Sequence, residues 1–336
     1  MFDVVSLGAA TLDVFLRSSE FAVQKENGKK ELCVIYGAKI EIDEVHFDLG
    51  GGGTNSAVTF ARQGLKVASI VKIGEDFAGR KVREDLEGAG VDTSLTAEEK
   101  DEHTDYSTIL WAPDGGRTIL VYRGKTKLEV EDINWEGLKT KWFYISSIEG
   151  NLEIPEEIQR SKDPKRQRPN MPHTRVAWNP GRKELEQRER VLAILPQIEL
   201  LNLNKEEMIE LLAMKQCSNV AIREILRSAQ GLPCRYIIIT DDRNGSYIWQ
   251  KDTKKWLWSG IYNTPKVEAT GAGDAYGSGF VTGLVKGWEI RDCLQLAAAN
   301  ASSVVLRPGA KKGILKPEEM SKWLKMDLEI KEMRIE

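Results

Sequence analysis

The chain has few cysteines, few histidines and little net charge, and each shortage excludes a class of function. Four cysteines and three histidines occur among 336 residues, and no two cysteines form a C-x-x-C pair. We therefore expect neither a disulfide framework nor a zinc site, and a reducing cytoplasm suits this composition. The net charge of -3 also argues against nucleic acid as a partner, because binding to its backbone relies on clustered lysine and arginine.

Long hydrophobic runs are missing as well. No apolar stretch approaches the roughly 20 residues that a membrane helix needs, so we expect no membrane partner. The chain starts with a short strand-like run at 4–7 rather than with a signal peptide, which again indicates a cytoplasmic protein. One basic segment, within 160–172, departs from the balanced charge. It is predicted to be a solvated loop, and the pattern does not indicate its role.

Apolar runs of strand length alternate with segments of helical apolar spacing along most of the chain. This alternation predicts an α/β fold with a mostly parallel sheet that helices cover on both faces. The predicted strands are 4–7, 66–73, 143–146, 175–178, 200–203 and 236–240, and the predicted helices are 55–63, 155–159, 182–195, 205–214, 219–229, 275–286 and 291–306.

Two segments break this alternation. Residues 31–49 show period-two apolar spacing, and 107–122 contain two strand-like runs joined by the turn sequence Pro-Asp-Gly-Gly at 113–116. Together they predict a small antiparallel β-unit inserted in the α/β body, formed from about 14–50 and 105–125. Such a unit beside a ligand crevice acts as a lid that excludes water, but the pattern alone equally allows an edge extension of the main sheet.

The segment Thr-Gly-Ala-Gly-Asp at 270–274 carries the strongest chemical signal. Gly271, Ala272 and Gly273 allow a sharp turn and a close approach of the backbone to a ligand. A helix that begins here presents unpaired N–H groups and a positive dipole end, which suit a phosphate. Asp274 is then placed to take a proton from an attacking hydroxyl, although an aspartate at a helix start is also a common N-cap.

A second glycine-rich element occupies 50–57 and leads into a helix. Its four consecutive glycines are costly to order, so a structure that keeps them needs close backbone approach to something. Asn55 in this element suits a sugar hydroxyl or a helix cap. Asp13 follows the first strand, at the sheet edge where α/β folds bind ligands, and it suits two hydroxyls or a cap.

In this order the motifs resemble the ribokinase/PfkB family of carbohydrate kinases. The resemblance rests on Gly-x-x-x-x-Asp at 8–13, Gly-Gly-Gly-x-Asn at 51–55 and the segment at 270–274, and 72–79 with 86–92 are similar to the family's first signature region. It covers about 2–324. It implies a ribokinase-like three-layer αβα sandwich with a mostly parallel central sheet, and a single kinase domain over 1–336 that carries the β-lid.

The resemblance also implies a reaction and a set of site residues. The reaction is transfer of the γ-phosphate of ATP to a hydroxymethyl group of a sugar, ribokinase- or fructokinase-like, with Asp274 as the base. The remaining implied residues are Gly271, Ala272 and Gly273 for the anion hole; Asp13, Gly51, Gly52, Gly53, Asn55 and, by a looser match, Glu149 for the acceptor; Asn204, Thr240, Gly245 and Asn300 for the nucleotide; and Glu207 for Mg²⁺ through water.

The chain departs from the family pattern at two places. Glu268 and Ala269 stand where many relatives carry Asp-Thr, which puts activation by a monovalent cation such as K⁺ in doubt. Gly52 stands where some ribokinases carry lysine, so ribose itself is not secured as the acceptor.

Three further interpretations follow from the same residues. A nucleoside kinase of the adenosine type shares these motifs, and the aromatic residues Tyr36, Phe47 and Trp111 in the predicted lid keep that alternative open. A non-catalytic, sugar-binding regulator on the same scaffold is a second alternative, but it would not need a base such as Asp274, so the presence of this residue argues against it. A dinucleotide-dependent oxidoreductase lacks its G-x-G-x-x-G after the first strand. A homodimer through an exposed lid face is also expected.

Overall fold

A computed structural model describes residues 1–26, 28–161, 174–214, 220–265 and 269–335. The strands, numbered along the chain, are β1 (Phe2–Leu7), β2 (Thr11–Arg17), β3 (Ala22–Glu26), β4 (Lys29–Cys33), β5 (Glu44–Gly50), β6 (Val67–Ile70), β7 (Lys72–Gly74), β8 (Ala97–Glu99), β9 (Asp105–Trp111), β10 (Arg117–Tyr122), β11 (Thr140–Ile145), β12 (Arg175–Trp178), β13 (Leu200–Asn204), β14 (Tyr236–Thr240), β15 (Ser246–Gln250), β16 (Lys255–Ser259) and β17 (Ile330–Met333). The helices are α1 (Gly52–Arg62), α2 (Phe77–Gly88), α3 (Glu153–Ser161), α4 (Arg182–Leu185), α5 (Arg188–Ile194), α6 (Lys205–Leu211), α7 (Ile222–Ala229), α8 (Ala272–Val285), α9 (Ile290–Val304) and α10 (Pro317–Trp323).

The larger sheet has the strand order β17-β16-β15-β14-β13-β12-β11-β1-β6 within the described residues. The strands from β14 to β6 in this order pair in parallel. Strands β15, β16 and β17 add antiparallel pairs at one edge. The predicted α/β fold with a mostly parallel sheet is therefore confirmed.

Each face of this sheet is covered by helices, which makes three layers. Val4 and Val5 of β1 are both fully buried and belong to two separate core clusters, because successive side chains of a strand point to opposite faces. One cluster includes apolar residues of α1, α8 and α9, and the other includes residues of α3, α6 and α7. A strand buried on both faces has the continuous apolar sequence seen at 4–7.

The second sheet has the order β10-β9-β2-β5 and is mixed rather than antiparallel. The pairs β2–β5 and β9–β10 are antiparallel, and the turn predicted at 113–116 joins β9 to β10. Strands β2 and β9 pair in parallel, so the prediction of a wholly antiparallel unit was wrong. The long connection between these two strands passes through α1 and α2, and a crossover of that length permits parallel pairing.

Several predicted boundaries also differ from the structure. The period-two pattern at 31–49 produces strands only at its ends, while residues 34–43 are not in a strand and Tyr36 is fully exposed. The run 66–73 is divided into β6 and β7, and 182–195 is broken between α4 and α5. Helices α1 and α8 begin at Gly52 and Ala272, three residues before their predicted starts, because their first turns include glycines that were expected to lie in the preceding loops. The basic segment 162–168 lies outside the described residues.

Parallel strands that end together create the edge on which a site can be built. Gly8, Ser146 and Thr240 lie at or just beyond the carboxyl ends of β1, β11 and β14. In open α/β sheets this edge is where ligands bind. Within the described part of the chain, no helix combines the length and apolar character needed to cross a bilayer.

Candidate active site

Asp274 lies in the first turn of α8, directly opposite the first turns of α1. The Nδ2 atom of Asn55 donates a hydrogen bond of 2.9 Å to Oδ2 of Asp274. Gly271, the N-cap of α8, has a φ of 76°, in the left-handed region that favours glycine, and no side chain caps the helix there. The two glycine-rich elements therefore meet at the mouth of a helix N-terminus, which is the geometry needed to hold an anion beside a carboxylate.

The environment of Asp274 raises the pKa of its carboxyl group. Burial is the main cause, and the hydrogen bond from Asn55 and the positive charge of Lys311 act in the opposite direction. Burial also raises the pKa of the nearby Tyr144 hydroxyl, and the negative charge of Asp274 adds to this shift. A carboxyl whose pKa moves toward neutrality is a stronger base than an exposed aspartate, as general-base catalysis requires.

The glycines at the start of α1 each lie against a neighbouring chain segment. Gly51 has a φ of 89°, and a side chain on it would meet the backbone of Ala9. A side chain on Gly53 would lie 2.8 Å from the carbonyl carbon of Gly8. Both positions thus allow the loop to pack on the end of β1. Gly52 packs against the segment after β11, because a Cβ there would lie 2.6 Å from Cβ of Ser146, and it also lies beside the carboxylate, at 3.2 Å from Oδ1 of Asp274.

Two further carboxylates, Asp13 and Glu149, were predicted to bind the acceptor. Asp13 of β2 lies opposite Asp48 of β5, and Thr11 donates a hydrogen bond of 3.1 Å to Asp13. Glu149 has a φ of 58° and lines a small cavity together with Gly8, Ala9 and Ala10. This cavity lies beyond the ends of β1 and β11, so Glu149 is brought to the same edge of the sheet as the glycine-rich loop.

An arginine that the sequence did not single out lies beside Glu149. The guanidinium group of Arg123 is 2.7 Å from Asp105 and 3.6 Å from Glu149, and Lys183 is 4.0 Å from Glu149. Asp105 lines the same small cavity. No local pattern marks Arg123, since it follows an exposed strand and acquires its partners only through the fold.

A larger cleft of about 820 Å³, part of it open to solvent, lies on the other side of the α8 N-terminus. The predicted nucleotide residues Thr240 and Gly245 line it, and so do Ala272 and Gly273. The cleft therefore reaches the first turn of α8, which also carries Asp274. Sequence reasoning missed several apolar and hydroxyl residues of its wall, which are Tyr262, Tyr276, Ala298, Ala301 and Ser302.

Asn300 is not brought to this cleft. It is fully buried, its Nδ2 donates to the carbonyl of Ala275 at 2.9 Å, and its Oδ1 accepts from the backbone N–H of Leu315 at 3.0 Å. Its neighbours on α9, one and two residues away, line the cleft instead. Asn300 therefore connects α9 to α8 and to Leu315, which lies between α9 and α10, and its polar atoms face the protein interior.

Asn204 and Glu207 form a reciprocal capping box at the start of α6. Asn204 Oδ1 accepts from the backbone N–H of Glu207 at 2.8 Å, and Glu207 Oε2 accepts from that of Asn204 at 2.9 Å. Burial, and to a smaller extent the negative charge of Asp274, raise the pKa of Glu207. No cluster of three or more metal-ligating side chains occurs in the parts of the chain that the structure describes.

Comparisons with known proteins agree on one family. Residues 1–317 match the pfkB family carbohydrate kinase. A nucleoside kinase of Methanocaldococcus jannaschii is 26% identical over 274 residues, 80% of this chain and 83% of that protein. A 5-dehydro-2-deoxygluconokinase of Shouchella clausii is 24% identical over 316 residues, 90% of each chain. The structure of Arabidopsis thaliana ribokinase complexed with ribose and ATP superposes with a TM-score of 0.74 at 20% identity, over 97% of this chain and 99% of that one.

Proposed function

The chain belongs to the pfkB family of carbohydrate kinases, and we propose that it transfers the γ-phosphoryl group of ATP to a hydroxymethyl group of a sugar. One observation carries this proposal. The Asn55–Asp274 hydrogen bond joins the two glycine-rich elements at the α8 N-terminus, between the large cleft and the cavity beside Glu149. Nucleotide and acceptor would thus approach Asp274 from opposite sides.

The residues of the site supply the parts that phosphoryl transfer requires. Asp274 accepts the proton of the acceptor hydroxyl as its oxygen bonds to the γ-phosphorus and the bond to ADP breaks. The N-terminal turn of α8, with Gly271, Ala272 and Gly273, faces the charge that develops on the transferred group. Positioning and charge neutralisation account for the catalysis, so no covalent nucleophile is needed.

Glu207 could hold Mg²⁺ only if water molecules and phosphate oxygens completed the coordination shell of the ion. One oxygen of Glu207 is engaged in the capping box, which leaves a single carboxylate oxygen toward the site. Mg²⁺ in nucleotide sites keeps several waters and takes one or two carboxylates together with phosphate oxygens. When bound, the ion neutralises phosphate charge. Glu268, on which the doubt about K⁺ rests, lies outside the described residues.

The acceptor pocket favours a free sugar over a nucleoside. Glu149 lines the small cavity, and Asp13 is the second carboxylate that we assign to the acceptor; the oxygens of both suit hydroxyl groups. Among the aromatic residues of the predicted lid, Tyr36 is fully exposed, and Phe47 alternates with Asp48 and so lies on the opposite face of β5 from it. A base would therefore lack two of the expected stacking partners. The nucleoside interpretation is retained because one relative is named as a nucleoside kinase.

The first prediction concerns the acceptor. With Mg²⁺ and ATP, the purified protein will form ADP in the presence of a neutral sugar or a sugar acid, and more slowly with nucleosides. A coupled ADP assay over pentoses, hexoses, sugar acids and nucleosides measures this. Faster turnover with nucleosides would establish the alternative. If no acceptor in the panel gives ADP while a sugar still binds to the protein, the protein is the non-catalytic regulator.

We also propose that the second sheet, within about 14–50 and 105–125, is a lid that pairs with a second copy of the chain. Every residue of its edge strand β10 is exposed, and Ile119, Leu120 and Val121 are each about half exposed. An apolar edge strand of this kind is normally covered by another chain. The cytoplasmic location expected from the composition stays a prediction.

The second prediction concerns this edge. Leu120→Glu will convert a dimer into a monomer in sedimentation velocity, because a charge would be buried in the interface. Ile261→Glu is the matched control, since Ile261 is 44% exposed and lies in the large cleft, away from the sheet. A wild-type monomer at micromolar concentration, or a dimer that persists in Leu120→Glu, would reject the β10 interface.

A further inference from the structure

Lys311 is a buried lysine whose charge has no hydrogen-bonding partner among the described residues. The residue is 3% exposed, and its Nζ atom is inaccessible to solvent. It lies in the segment 307–313, which connects α9 to α10. A buried ammonium group without a partner is strongly unfavourable, so its retention calls for an explanation beyond packing.

The segment that carries Lys311 is wedged between the anion-hole turn and the second sheet. A side chain on Gly271 would lie 2.5 Å from Cβ of Ala310, and Gly309 contacts the side chain of Asp48. Arg62 at the end of α1 donates to the carbonyl oxygen of Lys311 at 2.6 Å. The position of this backbone is therefore determined by both walls of the acceptor site.

Carboxylates from four elements interact electrostatically with this ammonium group. Asp13 of β2, Asp48 of β5 and Asp85 of α2 favour its charge, and the charge of Lys311 in turn acts on Asp274 of α8. The guanidinium group of Arg62 opposes the charge of Lys311. Oδ2 of Asp48 is itself buried without a hydrogen-bonding partner among the described residues. Three of these four acids, Asp13, Asp48 and Asp274, belong to the acceptor side of the site, where a negatively charged triphosphate must also approach.

We propose that Lys311 is a positioning residue of the transfer reaction, whose buried charge keeps Asp13, Asp48 and Asp274 ionised while ATP and the acceptor are bound. This inference rests on the proposed function. Carboxylates that share a site of low polarity repel one another, and without a cation at least one of them takes up a proton. A protonated Asp274 cannot accept the proton of the acceptor hydroxyl.

The pH dependence follows from the groups that face Asp274. These are Asn55 from α1, Tyr144 from β11, Glu207 from α6 and Lys311 from the segment 307–313. Burial lowers the pKa of Lys311 to about 8, against the attraction of its acidic neighbours. Activity will therefore rise as Asp274 ionises and fall again above about pH 8, where Lys311 loses its charge.

The kinetic test compares two substitutions that separate charge from shape. In Lys311→Met, the acid limb of the profile moves up by about one pH unit because Asp274 loses its cation, so kcat/KM at a pH on that limb falls about tenfold. Lys311→Arg keeps the charge at all pH values, so it retains the acid limb and loses the alkaline fall. Lys322→Met, at an exposed position in the last turn of α10, leaves the profile unchanged. An unshifted acid limb in Lys311→Met would overturn the inference while the kinase assignment stands.

Thermal unfolding as a function of pH tests a purely structural role. Lys311→Met leaves the buried carboxylates of Asp48 and Asp274 without their cation, so its Tm at neutral pH will be lower than that of the wild type. The difference will shrink as the pH falls and these acids take up protons. A lower Tm together with an unshifted acid limb would mean that Lys311 only supports the fold.

A third measurement does not depend on turnover. The ¹³Cε resonance of Lys311, assigned by its absence in Lys311→Arg, will titrate near pH 8 and at lower pH in Asp274→Asn, which removes a stabilising negative charge. A titration unaffected by Asp274→Asn would overturn the coupling. A wild-type protein inactive with every acceptor would reject the proposed function instead.

Discussion

Replacing Asp274 by asparagine will lower kcat by about 100- to 10,000-fold, the range expected for loss of a general base. Asparagine keeps the size of the side chain and an oxygen that can accept the hydrogen bond from Asn55, so the α8 turn keeps its shape. The proposed ATP site is on the other side of this turn, in the large cleft. We therefore expect the Kd for ATP, measured by calorimetry, to change little while turnover collapses.

The stability of this variant gives a second, independent readout. Burial raises the pKa of Asp274 in the folded state, so at neutral pH ionisation of this group opposes folding. The penalty is present above the folded-state pKa and disappears as the pH falls below the unfolded-state value. Asp274→Asn removes it, and its Tm at neutral pH will match or exceed that of the wild type.

A matched control lies on the adjacent helix. Asp292 occupies the first turn of α9, as Asp274 does in α8, but its side chain is exposed. Asp292→Asn makes the same chemical change at an equivalent helical position and should leave kcat unaffected. If Asp274→Asn retained near-normal turnover, or if both variants lost activity equally, Asp274 would not be the base.

The sequence predicts the parts of the site that lie close together along the chain. Small residues followed by an acid at 270–274 indicate an anion-binding helix start, and the four glycines at 50–53 indicate a crowded backbone. These signals are local, because a glycine or a helix cap responds to its immediate neighbours. The larger sheet is predictable for the same reason, since strands buried on both faces have continuous apolar sequences.

The features that escaped prediction depend on contacts between distant segments. The parallel pairing of β2 with β9 spans two helices, and the period-two pattern contains no information on strand direction. Asn300 has the sequence context of a ligand-binding residue, yet its amide is used within the protein. Lys311 and Arg123 look like ordinary surface residues in the sequence, because the burial of Lys311 and the ion pairs of Arg123 arise only in the assembled fold.

Replacing Gly271 and Gly273 separately by alanine will show that the first glycine is needed for folding and the second for binding of the transferred phosphoryl group. Gly271 has a φ of 76°, and a Cβ there would lie 2.5 Å from that of Ala310. Gly271→Ala must therefore strain the backbone and displace the segment of Ala310, at a cost of about 1–3 kcal/mol of stability. We expect a lower Tm together with the loss of transfer.

Gly273 differs from Gly271 in its exposure and in the space around it. It is exposed in the first turn of α8, and a Cβ added to it meets no described atom within 4 Å. Glycine is costly in a helix, so Gly273→Ala will keep or raise the Tm. If the transferred phosphoryl group approaches this backbone, the new methyl group will displace it and lower kcat by about 100- to 1,000-fold, as when one anion-hole donor is lost. A Gly273→Ala variant with full activity would show that the phosphoryl group lies elsewhere, whereas a stable and inactive variant places it at this turn.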